Sequence, residues 1–318
     1  MPAVLILCPT FDHAETLYAS TASVRAQTFQ DWELVVIGDG APERTTAIVS
    51  AISAADARIR YEAHPKSARF GEIYRDRVIR DSTADVVLQI GDDDLWVPDH
   101  IDRMLHLLEE ADWANEAPLR VAPDDGAEWW PINHGTGAVR LAIVQGIAVS
   151  AGPNFVAYRR EAYLRLPEGW TCAPPPGPSD AFMWAKFFRL PGLRVASIAS
   201  TSAIKFPSHV SVREEWDSAR RLAELAPWLA RISQPGSIGE LCKEASVRAR
   251  LLALYRLHGV PASLSWPEAL RWCGFEPASP EAEAAPARDG ERMLLPLSPL
   301  QEEEATLALE DFRRFPPG

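Results

Sequence analysis

Leu88-Gln89-Ile90-Gly91-Asp92-Asp93-Asp94-Leu95-Trp96-Val97-Pro98 is the stretch whose reading decides the fold. Residues 86–90 form a short β-branched apolar run, too brief for a buried helix, and read as a central strand. Three carboxylates follow at once. Pro98 then opens a helix whose first turn carries Asp99 and Asp102, both favourable to the helix dipole. The aspartates therefore fall at the carboxyl end of a strand, where open α/β sheets bind ligands. Three adjacent carboxylates repel one another, and a hard divalent cation such as Mg²⁺ or Mn²⁺ would neutralise them through oxygen ligands. A solvated acidic turn that caps the next helix fits the same residues, and the stretch alone leaves both readings open.

Working outward, residues 3–8 are a continuous apolar strand that Pro9-Thr10-Phe11-Asp12 breaks. Residues 32–37 give a second strand, closed by Gly38-Asp39-Gly40, and residues 59–63 a third. Helices are expected over 14–27, from Pro42 onward (Thr45, Ile48, Val49 and Ile52 share one face) and over 72–81. This alternation predicts an α/β fold, a Rossmann-like and mainly parallel central sheet with helices on both faces. The loops at 9–12, 38–40 and 92–94 then emerge on one side. Farther on, residues 111–137 read as loop, 139–149 and 155–158 as strands, and 159–166 as a short helix. A Pro-rich connector at 174–178 leads to a helix starting at Ser179-Asp180, with short strands at 194–197 and 202–206. After about Val212 the composition shifts to helices (214–229, 238–258, 267–272), a Pro/Ala/Glu-rich linker near 275–290 and a last acidic helix over 298–312.

The formal net charge of −12 disfavours nucleic acid as a partner, because phosphate binding needs clustered Lys and Arg. It also disfavours broad adhesion to anionic lipid. Cys8, Cys172, Cys242 and Cys273 lie far apart without a CxxC pair, so neither a zinc site nor a disulfide framework is indicated, and a reducing setting fits. The apolar stretches at 4–8 and 141–149 are far short of the roughly 20 residues that cross a bilayer. No basic segment followed by a longer apolar one marks a signal peptide. The expectation is a cytoplasmic protein without a transmembrane segment, with peripheral attachment at the inner face of a membrane left open.

Several motifs, in order, resemble family 2 glycosyltransferases of the GT-A fold over residues 3–211. They are Cys8-Pro9-Thr10-Phe11-Asp12; Ser23-Val24-Arg25-Ala26-Gln27-Thr28 followed by Asp31-Trp32-Glu33-Leu34-Val35-Val36-Ile37; Gly38-Asp39-Gly40-Ala41; Tyr74-Arg75-Asp76; Gly91-Asp92-Asp93-Asp94-Leu95-Trp96-Val97-Pro98; Ser179-Asp180 leading into Phe182, Trp184 and Arg189; and His209. Three positions depart from the family pattern: Gly38 and Gly91 each replace an Asp, and Ser179 replaces a Glu.

The resemblance implies a metal-dependent, inverting transfer of a sugar from a nucleoside-diphosphate donor, with UDP favoured, to a hydroxyl of a glycan or other acceptor. It implies a GT-A domain at 1–211, with a nucleotide-sugar half at about 1–98 and an acceptor half at about 99–211. The helical extension at 212–318 would close over the acceptor, bind a partner chain or form a homodimer. Asp93 is the first choice for Mn²⁺ or Mg²⁺, with Asp94 and His209 as further ligands and Asp92 direct or water-bridged. Asp39 would accept from the N3–H of uracil. Pro9, Thr10 and Asp12 would flank the nucleotide, and Arg75 would reach the base or a phosphate. Asp180 would be the base, while its place at the start of a helix equally fits a capping residue. Trp129, Trp130 and Trp170 fit either acceptor stacking or core packing. Two other classes stay open: a non-catalytic sugar-nucleotide-binding module, which the glycine replacements permit, and a nucleotidyltransferase. The latter expects a Gly-rich basic loop after the first strand, which Pro9-Thr10-Phe11-Asp12 does not supply.

Overall fold

The computed structural model describes residues 2–121, 127–129, 132–146, 150–174, 177–207, 213 and 215–245. Met1–Pro123 and Ala127–Glu244 form one compact unit; Asp124–Gly126 and Ala245–Gly318 form a second, almost wholly outside the described residues. His209, the linker at 275–290 and the helices expected at 267–272 and 298–312 also lie outside them.

In chain order the elements are β1 (Val4–Thr10), α1 (Thr16–Arg25), β2 (Trp32–Asp39), α2 (Glu43–Ala55), β3 (Ile59–His64), α3 (Glu72–Asp81), β4 (Val86–Gln89), β5 (Leu95–Trp96), α4 (His100–Leu107), β6 (Trp113–Glu116), β7 (Leu119–Val121), β8 (Ala127–Trp129), α5 (Gly137–Val144), β9 (Val156–Arg159), α6 (Arg160–Leu164), α7 (Ser179–Phe188), β10 (Val195–Ile198), β11 (Ala203–Ile204) and α8 (Ser218–Ile232). Seven strands form one sheet in the order β10-β6-β9-β4-β1-β2-β3. Pairing is parallel except at β9, which runs antiparallel to both β4 and β6. β1, β2 and β4 lie side by side because their Val-, Ile- and Leu-rich runs are buried on both faces, as parallel strands require. Their carboxyl ends converge, which brings Thr10, Asp39 and the acidic turn to one edge of the sheet. A second, two-stranded pairing joins β5 to β11, antiparallel.

The strands and helices of the first hundred residues form largely as the sequence predicts, with three differences: Pro9 does not end β1, which continues through it to Thr10; Leu95–Trp96 form β5; and the helix expected to open at Pro98 starts at His100, with Asp99 at its capping position. Two later expectations are corrected. Residues 139–149 were expected as a strand; the described part is a helix, α5, packed on α7. Only Ile143 is buried along it, while Leu141 is 56% exposed, so the apolar run is a single helical stripe rather than a two-faced strand. Gly146 ends it with φ +72, donating to the Ile143 carbonyl, and is a helix stop rather than a break in a strand. Residues 111–137, expected as loop, hold β6 in the sheet and the β7–β8 hairpin. Asn115 and Glu116 made β6 look unlike a strand. Both are fully buried and satisfied, Glu116 by Arg103 and Ser202 and Asn115 by Ser197 and two carbonyls.

Gln27 fixes the acidic turn from behind. Its amide donates to the Ser23 and Val97 carbonyls and accepts from the Ile101 N–H, tying the end of α1 to the start of α4. Gln27→Ala strands the buried Ile101 N–H and takes one of two donors from the Val97 carbonyl, which keeps the His100 N–H, and urea unfolding is expected to show a loss of about 2 kcal/mol. A loss within experimental error would show that this tie is dispensable.

Candidate active site

The three aspartates are buried, at 8%, 6% and 1% exposure for Asp92, Asp93 and Asp94. Their environments differ. Asp92 accepts from the Thr10 hydroxyl at 2.6 Å through one oxygen and from His13 Nδ1 at 3.0 Å through the other. Asp94 accepts from the Phe206 N–H at 3.0 Å and faces the Lys205 ammonium at 3.4 Å. Asp93, between them, accepts no hydrogen bond from any described residue; its nearest cationic neighbour is His13, with Nδ1 3.8 Å away. Burial, and after it Asp94 and Asp92, raise the Asp93 pKa to about 7. Burial also raises Asp94, against the pull of Lys205.

His13 is the residue that the sequence reading missed. Its Nδ1 and oxygens of Asp92 and Asp93 lie within 4.8 Å of one another, a set that could hold a metal ion. Burial lowers the His13 pKa, but the two carboxylates outweigh it and lift it to about 9, with Arg221 opposing. The available signal was its position, directly after the Pro9-Thr10-Phe11-Asp12 loop. Lys205 and Arg221 carried no local signal. Desolvation works against a charge on Lys205, yet Asp94 and Asp93 raise its pKa.

The donor set fits a hard divalent cation: a buried carboxylate that no described residue hydrogen-bonds, beside a second carboxylate with lone pairs to spare. Asp94 is the poorer candidate of the three, since its oxygens are held by Lys205 and the Phe206 amide.

Asp39 closes β2 and is buried. Its carboxylate accepts from the Ser67 N–H, from the Ser67 hydroxyl at 2.9 Å and from the Lys66 ammonium. Pro9 sits in β1, paired with Ile37 of β2. Asp12 is turned outward, with a side chain 61% exposed whose carboxylate lies 3.9 Å from His13 Nε2, and its carbonyl accepts from the Ser218 hydroxyl. Arg75 is buried. It donates to the Phe70 carbonyl and Gln89, its guanidinium lies 4.0 Å over the Trp170 ring, and its Nε has no partner. Trp170 is thereby a core residue, unavailable for stacking on an acceptor. Asp180 stands at the start of α7, whose capping position is Pro178, so it is not the cap. Burial raises its pKa, opposed by the Ala181 N–H, Lys205 and Arg75.

Each departure from the family pattern has a neighbour in the vacated space. A Cβ at Gly38 would lie 2.5 Å from the Tyr61 hydroxyl, and one at Gly91 2.5 Å from Asp94 Oδ2. Ser179 donates at 2.6 Å to Glu72, so a buried carboxylate still stands at that corner.

A sequence model of the family described as glycosyl transferase family 2 matches residues 5–166. No curated protein matches the chain. Among solved structures, S. aureus TarS 1–349 in complex with UDP aligns at 14% identity, over 86% of this chain and 78% of its own, with a TM-score of 0.52. The same protein in complex with UDP-GlcNAc gives 14%, 86%, 79% and 0.50. The mannosyltransferase PcManGT from Pyrobaculum calidifontis, in complex with GDP-Man and Mn²⁺, gives 18% identity, 99% and 83% coverage, and a TM-score of 0.49. Likeness at these identities speaks for the fold, the GT-A arrangement of a mainly parallel sheet wrapped by helices.

Because Asp93 is buried without a partner, removing its charge relieves desolvation and repulsion together. Asp93→Asn is expected to raise the Tm of the metal-free chain by a few degrees near pH 8. A lower Tm would mean that the carboxylate is already compensated.

Proposed function

The chain belongs to glycosyl transferase family 2, and we propose that it moves a sugar from a UDP-linked donor to an acceptor hydroxyl, with inversion and with the help of a divalent cation at Asp93. The observation that carries this reading is the unpartnered Asp93 carboxylate, buried at the end of β4 between two carboxylates that are already engaged. Mn²⁺ or Mg²⁺ held there would offset the negative charge that builds on the departing diphosphate. Asp92, held by Thr10 and His13, is the natural second oxygen donor; His209 stays a candidate ligand. Asp39 would accept from the N3–H of the base while the Lys66–Ser67 turn steadies it, which favours uracil or thymine over guanine. Pro9 and Thr10 would line the same nucleotide. Arg75, buried, would act from beneath the site by favouring the ionised form of Asp180. TarS, bound to UDP and UDP-GlcNAc on the same fold, is in keeping with the nucleotide choice.

For the transfer itself, the acceptor hydroxyl gives its proton to Asp180. Its oxygen forms the new bond to the anomeric carbon. The old bond to the diphosphate oxygen breaks, and the electron pair leaves with the diphosphate. Asp180 suits the role because it stands outside the acidic triplet and its burial makes it a stronger base than an exposed carboxylate. The acceptor is a glycan or another hydroxyl compound. Among the described residues no helix is long and apolar enough to cross a membrane.

A thermal-shift series of UDP, dTDP and GDP sugars with and without Mn²⁺ tests the donor reading. A ligand at about 100 times its Kd adds roughly 2.7 kcal/mol. UDP and dTDP are expected to stabilise more than GDP, only with metal, and Asp39→Ala is expected to erase the difference; equal shifts with GDP would contradict it. Asp180→Asn is expected to bind the donor normally but lose transfer by about 10²- to 10⁴-fold. In the parent the acid limb of kcat is expected above the ordinary carboxylate range, because protonating a base with a raised pKa stops it at higher pH. Near-parental turnover by Asp180→Asn would move the base elsewhere.

A further inference from the structure

α8 buries Arg221, Leu225, Trp228 and Ile232 along one stripe and packs against α1. Two of these side chains reach the acidic triplet from opposite ends. The Arg221 guanidinium donates to His13 Nε2, to the Arg213 carbonyl at 2.8 Å and to the Trp216 carbonyl at 3.2 Å. The His13 ring thus lies between the guanidinium and Asp92, and since a carboxylate can only accept, the ring carries a proton on Nδ1. That proton points at Asp92 Oδ1, 3.0 Å away. At the other end, the Trp228 ring meets Phe206 edge-on with centroids 6.0 Å apart, and the Phe206 N–H donates to Asp94. The Ser218 hydroxyl adds a third tie, to the Asp12 carbonyl at 3.0 Å.

We infer that α8 is a working part of the donor site: Arg221 acting through His13, and Trp228 acting through Phe206, hold Asp92 and Asp94 so that Asp93 alone is left to face the cation. This rests on the reading that Asp93 carries the metal. His13, Arg221 and Trp228 are positioning residues. His13 acts here through its Nδ1–H on Asp92 and not as a ligand. Outer partners of this kind orient the ligand and set its affinity, and losing one commonly costs about 10- to 100-fold in metal binding.

The test is a Mn²⁺ titration of the full chain, read from the EPR signal of the free ion, with donor KM and kcat measured alongside. His13→Ala and Arg221→Gln are expected to weaken Mn²⁺ by about 10-fold or more and to raise donor KM. His13→Asn, whose amide N–H falls where Nδ1–H lies, is expected to recover most of that loss. A lower Tm with unchanged Mn²⁺ affinity in both variants would reduce α8 to a structural brace and overturn the inference. So would a nitrogen hyperfine coupling to bound Mn²⁺ that disappears in His13→Asn, since that would make His13 a ligand. If Arg221→Gln does not fold, the two His13 variants decide. Asp93→Asn separates the two levels of the account. If it binds Mn²⁺ like the parent, the metal reading itself fails and the inference with it. If it loses Mn²⁺ while the His13 and Arg221 variants keep it, only the inference fails.

Discussion

Three consecutive carboxylates buried at the end of one strand set the constraint to which the surrounding structure answers. Two unit charges about 4 Å apart repel by roughly 4 kcal/mol even at an effective dielectric of about 20. Thr10 and His13 answer for Asp92, Lys205 and the Phe206 amide answer for Asp94, and Asp93 has no hydrogen bond from a described residue and only His13 Nδ1, 3.8 Å away, facing it. These partners come from β1, from the loop after it and from the segment after β11. The sheet order that sets β1 beside β4, and the pairing of β5 with β11, are therefore what make the triplet tolerable. On the proposed function the charge left over is an asset, because it is the place where a cation gains most.

Much of this was legible in the sequence, and the reasons are physical. The strands β1, β2 and β4 are buried on both faces, so they appear as unbroken apolar runs whatever the rest of the chain does. The acidic turn and the residues flanking it are local, and a local pattern needs no tertiary information. β6 was hidden because Asn115 and Glu116 look like loop residues until Arg103 and Ser202 are brought to them from elsewhere in the chain. α5 was hidden because a short apolar run has no period of its own, and only packing on α7 decides it. Within the triplet, the family resemblance put Asp93 first, but the sequence could not show the physical ground for that rank. The rank depends on which oxygens are already taken, and the donors sit 79 to 112 positions away. Arg221 is farther still, 208 positions from His13.

The departures at Gly38, Gly91 and Ser179 look like losses when read along the chain. In space each is matched by a neighbour: the Tyr61 ring fills the room beside Gly38, the Asp94 carboxylate the room beside Gly91, and Glu72 supplies a carboxylate to Ser179. Motif positions and motif functions can thus separate. Asp94 leans toward Gly91 and is held by Phe206, which leaves Asp93 as the carboxylate of the turn without a partner.

The most direct test of this account is anomalous diffraction from crystals of the chain grown with Mn²⁺ and UDP. The account predicts one strong Mn²⁺ peak within coordination distance of an Asp93 oxygen, with the Asp94 carboxylate still on the Phe206 amide. A peak centred on Asp94, with that hydrogen bond broken, or no peak at the triplet while UDP is bound, would contradict it.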